Sequence, residues 1–178
     1  LRNAGAVPHL IQMMSHQNGR VSQLAGALVT ELCPGDVHNA EQLYESGGIV
    51  MLAEQLNRAD DMRSQLQALS ALSQLSSHPQ QAGAIVDNGC VPAILELLDH
   101  PSQELKSYAA ITFGNLCSSG AIPRHQLEHP TTLPHLVNIL SSSNGLAKGP
   151  AAGAIASMSS QPHLRQTVFS MGGLPGLV

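Results

Sequence analysis

The 178 residues carry 43% hydrophobic side chains, enough for a core, but only two Phe, two Tyr and no Trp, so that core must be aliphatic. Eight Lys and Arg against twelve Asp and Glu leave a net charge of −4. That balance offers no basic stripe to neutralise phosphates and no aromatic platform for bases, so no nucleic-acid partner is expected.

No apolar run approaches the roughly 18 residues of a membrane span. Cys33, Cys90 and Cys117 are an odd number without close spacing, and no Asn-x-Ser/Thr sequon is present. Both features fit a reducing, cytoplasmic setting, with the nucleus or the cytoskeleton as further addresses. No signal peptide opens the chain and Leu1 is not an initiator methionine, so the expectation is a fragment of a longer protein.

In chain order, Val7, Leu10, Ile11 and Met14 come first, at steps of 0, 3, 4 and 7, which is one face of an α-helix. The spacing predicts a helix over 7–16, with Pro8 in the first turn, where its missing N–H does no harm. Asn18-Gly19 marks a turn. A second helix is predicted over about 20–32, with Val21, Ala25, Leu28, Val29 and Leu32 as its core register. Cys33-Pro34-Gly35 ends it, and Asp36 can cap a short helix reaching Glu45. Gly47-Gly48 then bends the chain.

The same steps return at Ile49, Leu52, Ala53 and Leu56, where a helix is predicted over 49–57. Asp60-Asp61 places acid near the start of a long helix reaching Ser76, with Ala68, Ala71, Leu72 and Leu75 inward. His78-Pro79 breaks it, a short helix carries Ile85, and Gly89 closes the unit. The next copy has Val91, Ile94, Leu95 and Leu98, then Leu105, Ala109, Thr112, Phe113 and Leu116. A fourth has Leu133, Leu136, Val137 and Leu140. Its long helix is predicted to begin late, near Pro150, because an interior proline clashes with the preceding turn. Ala151, Ala154, Ile155 and Met158 hold its core register, Pro162 opens a last short helix, and Val168 takes the place of Leu1, Leu43, Ile85 and Leu127. A fifth copy starts at Leu174, Leu177 and Val178.

Lead positions 7, 49, 91, 133 and 174 are separated by 42, 42, 42 and 41 residues, which makes the pattern a repeat. Each unit runs short helix, glycine bend, medium helix, loop, long helix. None can bury its own apolar stripe, so neighbours must stack into a superhelix. The expected organisation is one array over 1–178: a partial repeat 1–34, repeats at about 35–78, 79–119 and 120–160, and a partial repeat 161–178. Unfinished apolar faces at both ends are expected to meet further repeats or to drive self-association.

These residues resemble the armadillo repeat family. The bend is seen as Gly5-Ala6-Val7-Pro8, Gly89-Cys90-Val91-Pro92 and Gly172-Gly173-Leu174-Pro175. The long-helix motif is matched best by Ala109-Ala110-Ile111-Thr112-Phe113-Gly114-Asn115-Leu116. The resemblance implies an all-α, right-handed α-solenoid of three-helix repeats. It also implies a non-catalytic protein–protein interaction scaffold, with an extended partner segment held in a concave groove lined by the third helices. An architectural array, such as a ciliary or vacuolar tether contacting partners by stacking or by its convex surface, is the alternative.

In the family an Asn of the long helix clamps the main chain of a bound peptide, since an amide both donates and accepts. The matching positions here are Glu31, Gln74, Asn115 and Ser157. Four residues earlier stand Ala27, Ser70, Ile111 and Gly153. Importin-α-like members carry Trp there, so a basic nuclear-import signal is not an expected ligand. At roughly 100° per residue, Arg20 lies over Glu31, Arg63 over Gln74 and Glu104 over Asn115, with Gln23, Gln67 and Tyr108 between. Arg20 and Arg63 suit an acidic or polar peptide, although both also fit as solvated residues near helix starts. Lys106 and Lys148 fall about half a turn away and should face elsewhere.

Motifs for chemistry are weak. His125-Gln126-Leu127-Glu128-His129 matches the H-x-x-E-H pattern, but Pro130 ends that helix and no third ligand is marked, so a solvated histidine pair is expected. His9 and His135 share one repeat position and are expected to be exposed. Asp87 and Glu96 are isolated carboxylates. Cys33 and Cys117 share a position just after the last core residue of a long helix, which suits packing. Gly145-Leu146-Ala147-Lys148-Gly149-Pro150 lacks the spacing of a phosphate loop. No enzyme activity, metal or cofactor is expected.

Overall fold

The computed structural model describes residues 6–14, 16, 18–32, 37–57, 62–141 and 147–170. Among these, every regular element is a helix. Helices α1 (Ala6–Met14) and α2 (Gly19–Leu32) come first. Three triplets follow: α3 (Val37–Glu45), α4 (Gly48–Asn57) and α5 (Met62–Leu75); α6 (Pro79–Asp87), α7 (Cys90–Leu97) and α8 (Gln103–Ser118); α9 (Arg124–Leu127), α10 (Thr132–Ser141) and α11 (Lys148–Ser160). The last helix is α12 (Pro162–Ser170). No helix among the described residues is long and apolar enough to cross a membrane.

The long helices stack in the order α2, α5, α8, α11, each packing on the next, and the medium helices α1, α4 and α7 form a second row beside them. One continuous core threads the units, because each apolar stripe is covered by its neighbour. Leu43, Ile85, Leu127 and Val168 are buried at the same place in successive short helices. Ile49, Leu52, Ala53 and Leu56 are all buried, as are Leu105, Ala109, Thr112, Phe113 and Leu116.

Gly89 explains how a short helix hands over to a medium one. Its φ of 71° lies in the left-handed region, which L residues with a Cβ avoid, and its N–H donates to the carbonyl of Val86 at 2.9 Å. At the preceding bend, Gly48 sits so close to Leu43 that a Cβ would stand 2.7 Å from Leu43 Cγ.

Two expectations change. Helix α11 begins at Lys148 rather than at Pro150; the proline occupies the first turn, where no helical N–H is required of it. Leu28, placed in the core by its spacing, is 50% exposed, and Leu24 one turn earlier is 60% exposed. The reason lies in the stacking. Thr112 and Ala154 occupy the equivalent positions of α8 and α11 and are fully buried, and Ala154 faces Gly114 of the preceding long helix. Leu28 of α2 turns toward the same side, where no long helix precedes it among the described residues. The Cys33-Pro34-Gly35 stop, Asp36, Asp60-Asp61, Leu1 and the fifth copy at 174–178 lie outside the described residues.

Candidate partner-binding face

The row of long helices presents one continuous face, and the joints between the helices set its shape. Gly26 lets α2 approach α5, since a Cβ there would stand 3.3 Å from Gln67 Oε1. Thr30 Oγ1 donates to the Gln67 carbonyl at 3.4 Å, beside a 2.9 Å bond to its own Gly26 carbonyl. At the next joint Asn115 Nδ2 donates to the Ser73 carbonyl at 3.3 Å and to Ser76 Oγ at 3.0 Å. Between α8 and α11, Ser118 Oγ and Ser157 Oγ share a hydrogen bond of 2.7 Å.

The bonded pairs are 37, 42, 39 and 39 residues apart, whereas the sequence period is 42. Neighbours across a joint therefore stand at, or up to about a turn short of, one full repeat. A ladder drawn through equivalent positions slips relative to the true rungs of the face.

That slip decides which residues meet. A depression of 230 Å³ on this face is lined by Glu31 and Thr30 of α2, Leu66, Gln67 and Ser70 of α5, and Glu104 and Tyr108 of α8, with Ala27 at its edge. Five of the expected groove residues thus converge: Glu31, Gln67, Ser70, Glu104 and Tyr108. Two carboxylates, an amide, a hydroxyl and a phenol surround a floor that includes the half-buried Leu66. Such a set accepts hydrogen bonds more readily than it donates them.

The remaining expected residues lie elsewhere. Arg20 and Arg63 are exposed in the first turns of α2 and α5, and neither lines the depression. Gln74 is exposed on α5. Gln23 belongs to α2, but its side chain is outside the described set. Asn115 and Ser157 sit in the joints, and the donor end of the Asn115 amide is used between helices. Its carbonyl oxygen Oδ1 is left to receive an N–H. Ser157 also borders a second depression of 460 Å³ at the C-terminal ends of α8 and α11, with Ser118, Ser119 and Ser160.

Burial pushes the Cys90 thiol from 9.0 up to about 12 and raises that of Cys117 further. Both are therefore neutral and inert at physiological pH. The Cys33 side chain lies outside the described residues.

The sequence missed one group. His135, expected to be exposed, is only 23% exposed, and its Nδ1 meets Asp99 Oδ2 at 2.5 Å. The pairing spans two repeats, from the end of α7 to the first turn of α10, so no local motif could announce it.

Comparison with known proteins agrees with this architecture. The family described as Armadillo/beta-catenin-like repeat matches residues 78–118. The Armadillo segment polarity protein of Drosophila melanogaster is 27% identical over 111 residues, covering 62% of this chain and 13% of its own length. Importin subunit alpha-2 of Arabidopsis thaliana is 24% identical over 181 residues, 99% of this chain and 33% of its own. The chain therefore spans a third or less of these two relatives. Among solved structures, a designed armadillo repeat protein in complex with the peptide (KR)4 superposes with a TM-score of 0.84 at 22% identity, over 97% of this chain and 73% of that one. An engineered protein superposes with the same score at 26% identity, over 97% and 72%.

Proposed function

Because the chain belongs to the armadillo repeat family, we propose that it is a non-catalytic scaffold that binds an extended segment of a partner protein along the face of α2, α5, α8 and α11. The observation that carries this reading is the convergence of Glu31, Gln67, Ser70, Glu104 and Tyr108 from three successive long helices on one depression. Stacked repeats build such a surface without any loop having to close over it. We assign residues 1–178 to one array acting in a reducing compartment such as the cytoplasm.

An extended backbone presents alternating N–H and C=O groups. The Gln67 amide can answer both, and Asn115 Oδ1 can accept an N–H. Side-chain choice follows from charge. Glu31 and Glu104 flank the depression while Arg20 and Arg63 stay at the helix starts, so the occupant is a lysine or arginine side chain. Its aliphatic stem lies on Leu66 and the Tyr108 ring, and its charged head lies between the carboxylates. The solved complex of a designed armadillo repeat protein with (KR)4 supports this polarity. Arginines directing an acidic peptide, the expectation from sequence, would need to line the depression.

The test compares two peptides of equal length, one lysine- and arginine-rich and one aspartate- and glutamate-rich, by fluorescence anisotropy. The basic peptide is expected to bind, with affinity lowered about tenfold by Glu31→Lys/Glu104→Lys and unchanged by Arg20→Glu/Arg63→Glu. Preferential binding of the acidic peptide, lost in the arginine variant, would move recognition to the helix starts and overturn the assignment.

A further inference from the structure

The medium helices hold a second feature, which shares no lining residue with the depression on the long-helix face. Helix α6 has nine residues and packs against α4, α5, α7 and α8; its counterpart α9 has four and no comparable partner among the described residues. Pro123 and Pro130 bracket α9 and confine it to a single turn. In consequence α7 and α10 scarcely touch, whereas α4 packs on both α1 and α7. The space left by the missing turns is a cleft of 570 Å³.

One wall of this cleft is apolar, formed by Val91, Pro92 and Leu95 of α7. The carboxylates of Glu96 and Asp99 continue it. His125 and His129, from α9 and just beyond it, and His135 of α10 complete the lining, with His135 Nδ1 in contact with Asp99 Oδ2. Gln126 also borders the cleft, and its Oε1 is buried without a hydrogen-bond partner among the described residues. One period earlier, Gly83, Asp87 and Ala93 occupy the places of the three histidines, so the junction of the preceding repeat lacks the cluster. No three His, Cys, Asp or Glu groups among the described residues are arranged to hold a metal ion.

We propose that this cleft is a second docking site, taking a lysine- or arginine-bearing segment of a partner protein. Charge complementarity selects the occupant. Asp99 is already met by His135 Nδ1, while Glu96 and the orphaned Gln126 Oε1 offer acceptors to which a basic side chain brings a positive charge and a donor. Its methylene stem matches the wall of Val91, Pro92 and Leu95.

The probe is a fluorescein-labelled peptide of alternating leucine and lysine. It is titrated into Glu31→Lys/Glu104→Lys, in which the long-helix face no longer attracts cations, so that the two sites are read separately. Binding is expected, and is weakened at least about tenfold when Glu96→Lys is added. No binding, or binding indifferent to Glu96→Lys, overturns the proposal. The unaltered protein supplies an independent reading by proton NMR. The ring resonances of His125, His129 and His135 should move as the probe is added, and their failure to move overturns it as well. If instead only the long-helix reading fails, the double variant and the unaltered protein bind the probe equally.

Discussion

Forty-two residues separate Ile85 from Leu127, Val91 from Leu133, Ile94 from Leu136 and Leu116 from Met158, and all eight side chains are buried. The triplets α6–α8 and α9–α11 therefore share one packing register. What differs is everything that register does not constrain. Helix α6 has nine residues and fills the space between its neighbours, while α9 has four and leaves a cleft. Phe113 is answered by Ile155, Leu105 by Ala147, and the fully buried Cys90 by Thr132. The shared positions keep the helices stacked, and the unshared ones make the surfaces distinct. A solenoid can change its binding chemistry one junction at a time because each unit touches only its neighbours.

The strongest way to break this parallel is at its largest side chain. Phe113 is completely buried, as is the smaller Ile155. Phe113→Ala should lower stability by about 4 kcal/mol and Ile155→Ala by about 3 kcal/mol, since each leaves a cavity between stacked helices. Urea titration followed by helical circular dichroism measures both. The central position should also split the transition, because α8 holds the units on either side together. Equal, small effects would mean that the interior is loosely packed and that the register is not what stabilises the stack.

Alkaline pH sharpens the comparison at the helix starts. Thr132 satisfies its hydroxyl by donating to the Gln126 carbonyl at 3.2 Å. Cys90, one period earlier, is held neutral by burial, which moves its thiol from 9.0 to about 12. The folded state thus keeps a proton that the unfolded chain releases. The resulting stabilisation is complete below pH 9 and is lost as pH rises toward 12, by at most about 1.4 kcal/mol for each unit. Denaturation midpoints of the native chain should fall across this window, and Cys90→Ala should flatten the slope. A slope unchanged by the substitution would place its origin in other groups.

The helices and their buried faces were legible because local periodicity fixes them four times over. Leu52, Ala68, Phe113 and Ile155 declare themselves within two turns of chain. Leu28 did not, for a spacing shows which face a residue is on but not whether a neighbour covers that face. Glu31, Gln67 and Tyr108 were legible as members of one face, while the company they keep was not. Their meeting depends on how far stacked helices slip, and that depends on close approaches such as Gly26 at Gln67 and Gly114 at Ala154. The Asp99–His135 pair lay further out of reach. It requires α7 and α10 to be placed in space, and it exists beside a gap that only the shortness of α9 creates.

The gentlest test concerns the two polar joints. Asn115 reaches across to the Ser73 carbonyl and to the hydroxyl of Ser76, which is itself buried and donates back to Ser73 at 2.8 Å. Ser157 meets Ser118 in an exposed setting, and each hydroxyl also lies 2.9 Å from a carbonyl one turn earlier in its own helix, that of Gly153 or Gly114, so that only one of the two serines donates across the joint at a time. Water can replace the second link far more cheaply than the first. Asn115→Ala should therefore cost about 1 kcal/mol, and Ser157→Ala should stay within about 0.5 kcal/mol. Asn115→Asp separates the joint from the face, because it keeps the acceptor oxygen while turning a second acceptor toward the Ser73 carbonyl. It should destabilise at least as much as alanine. If all three variants melt together with the native chain, the joints are held by apolar contact alone, and Asn115 is free to serve a bound peptide with both ends of its amide.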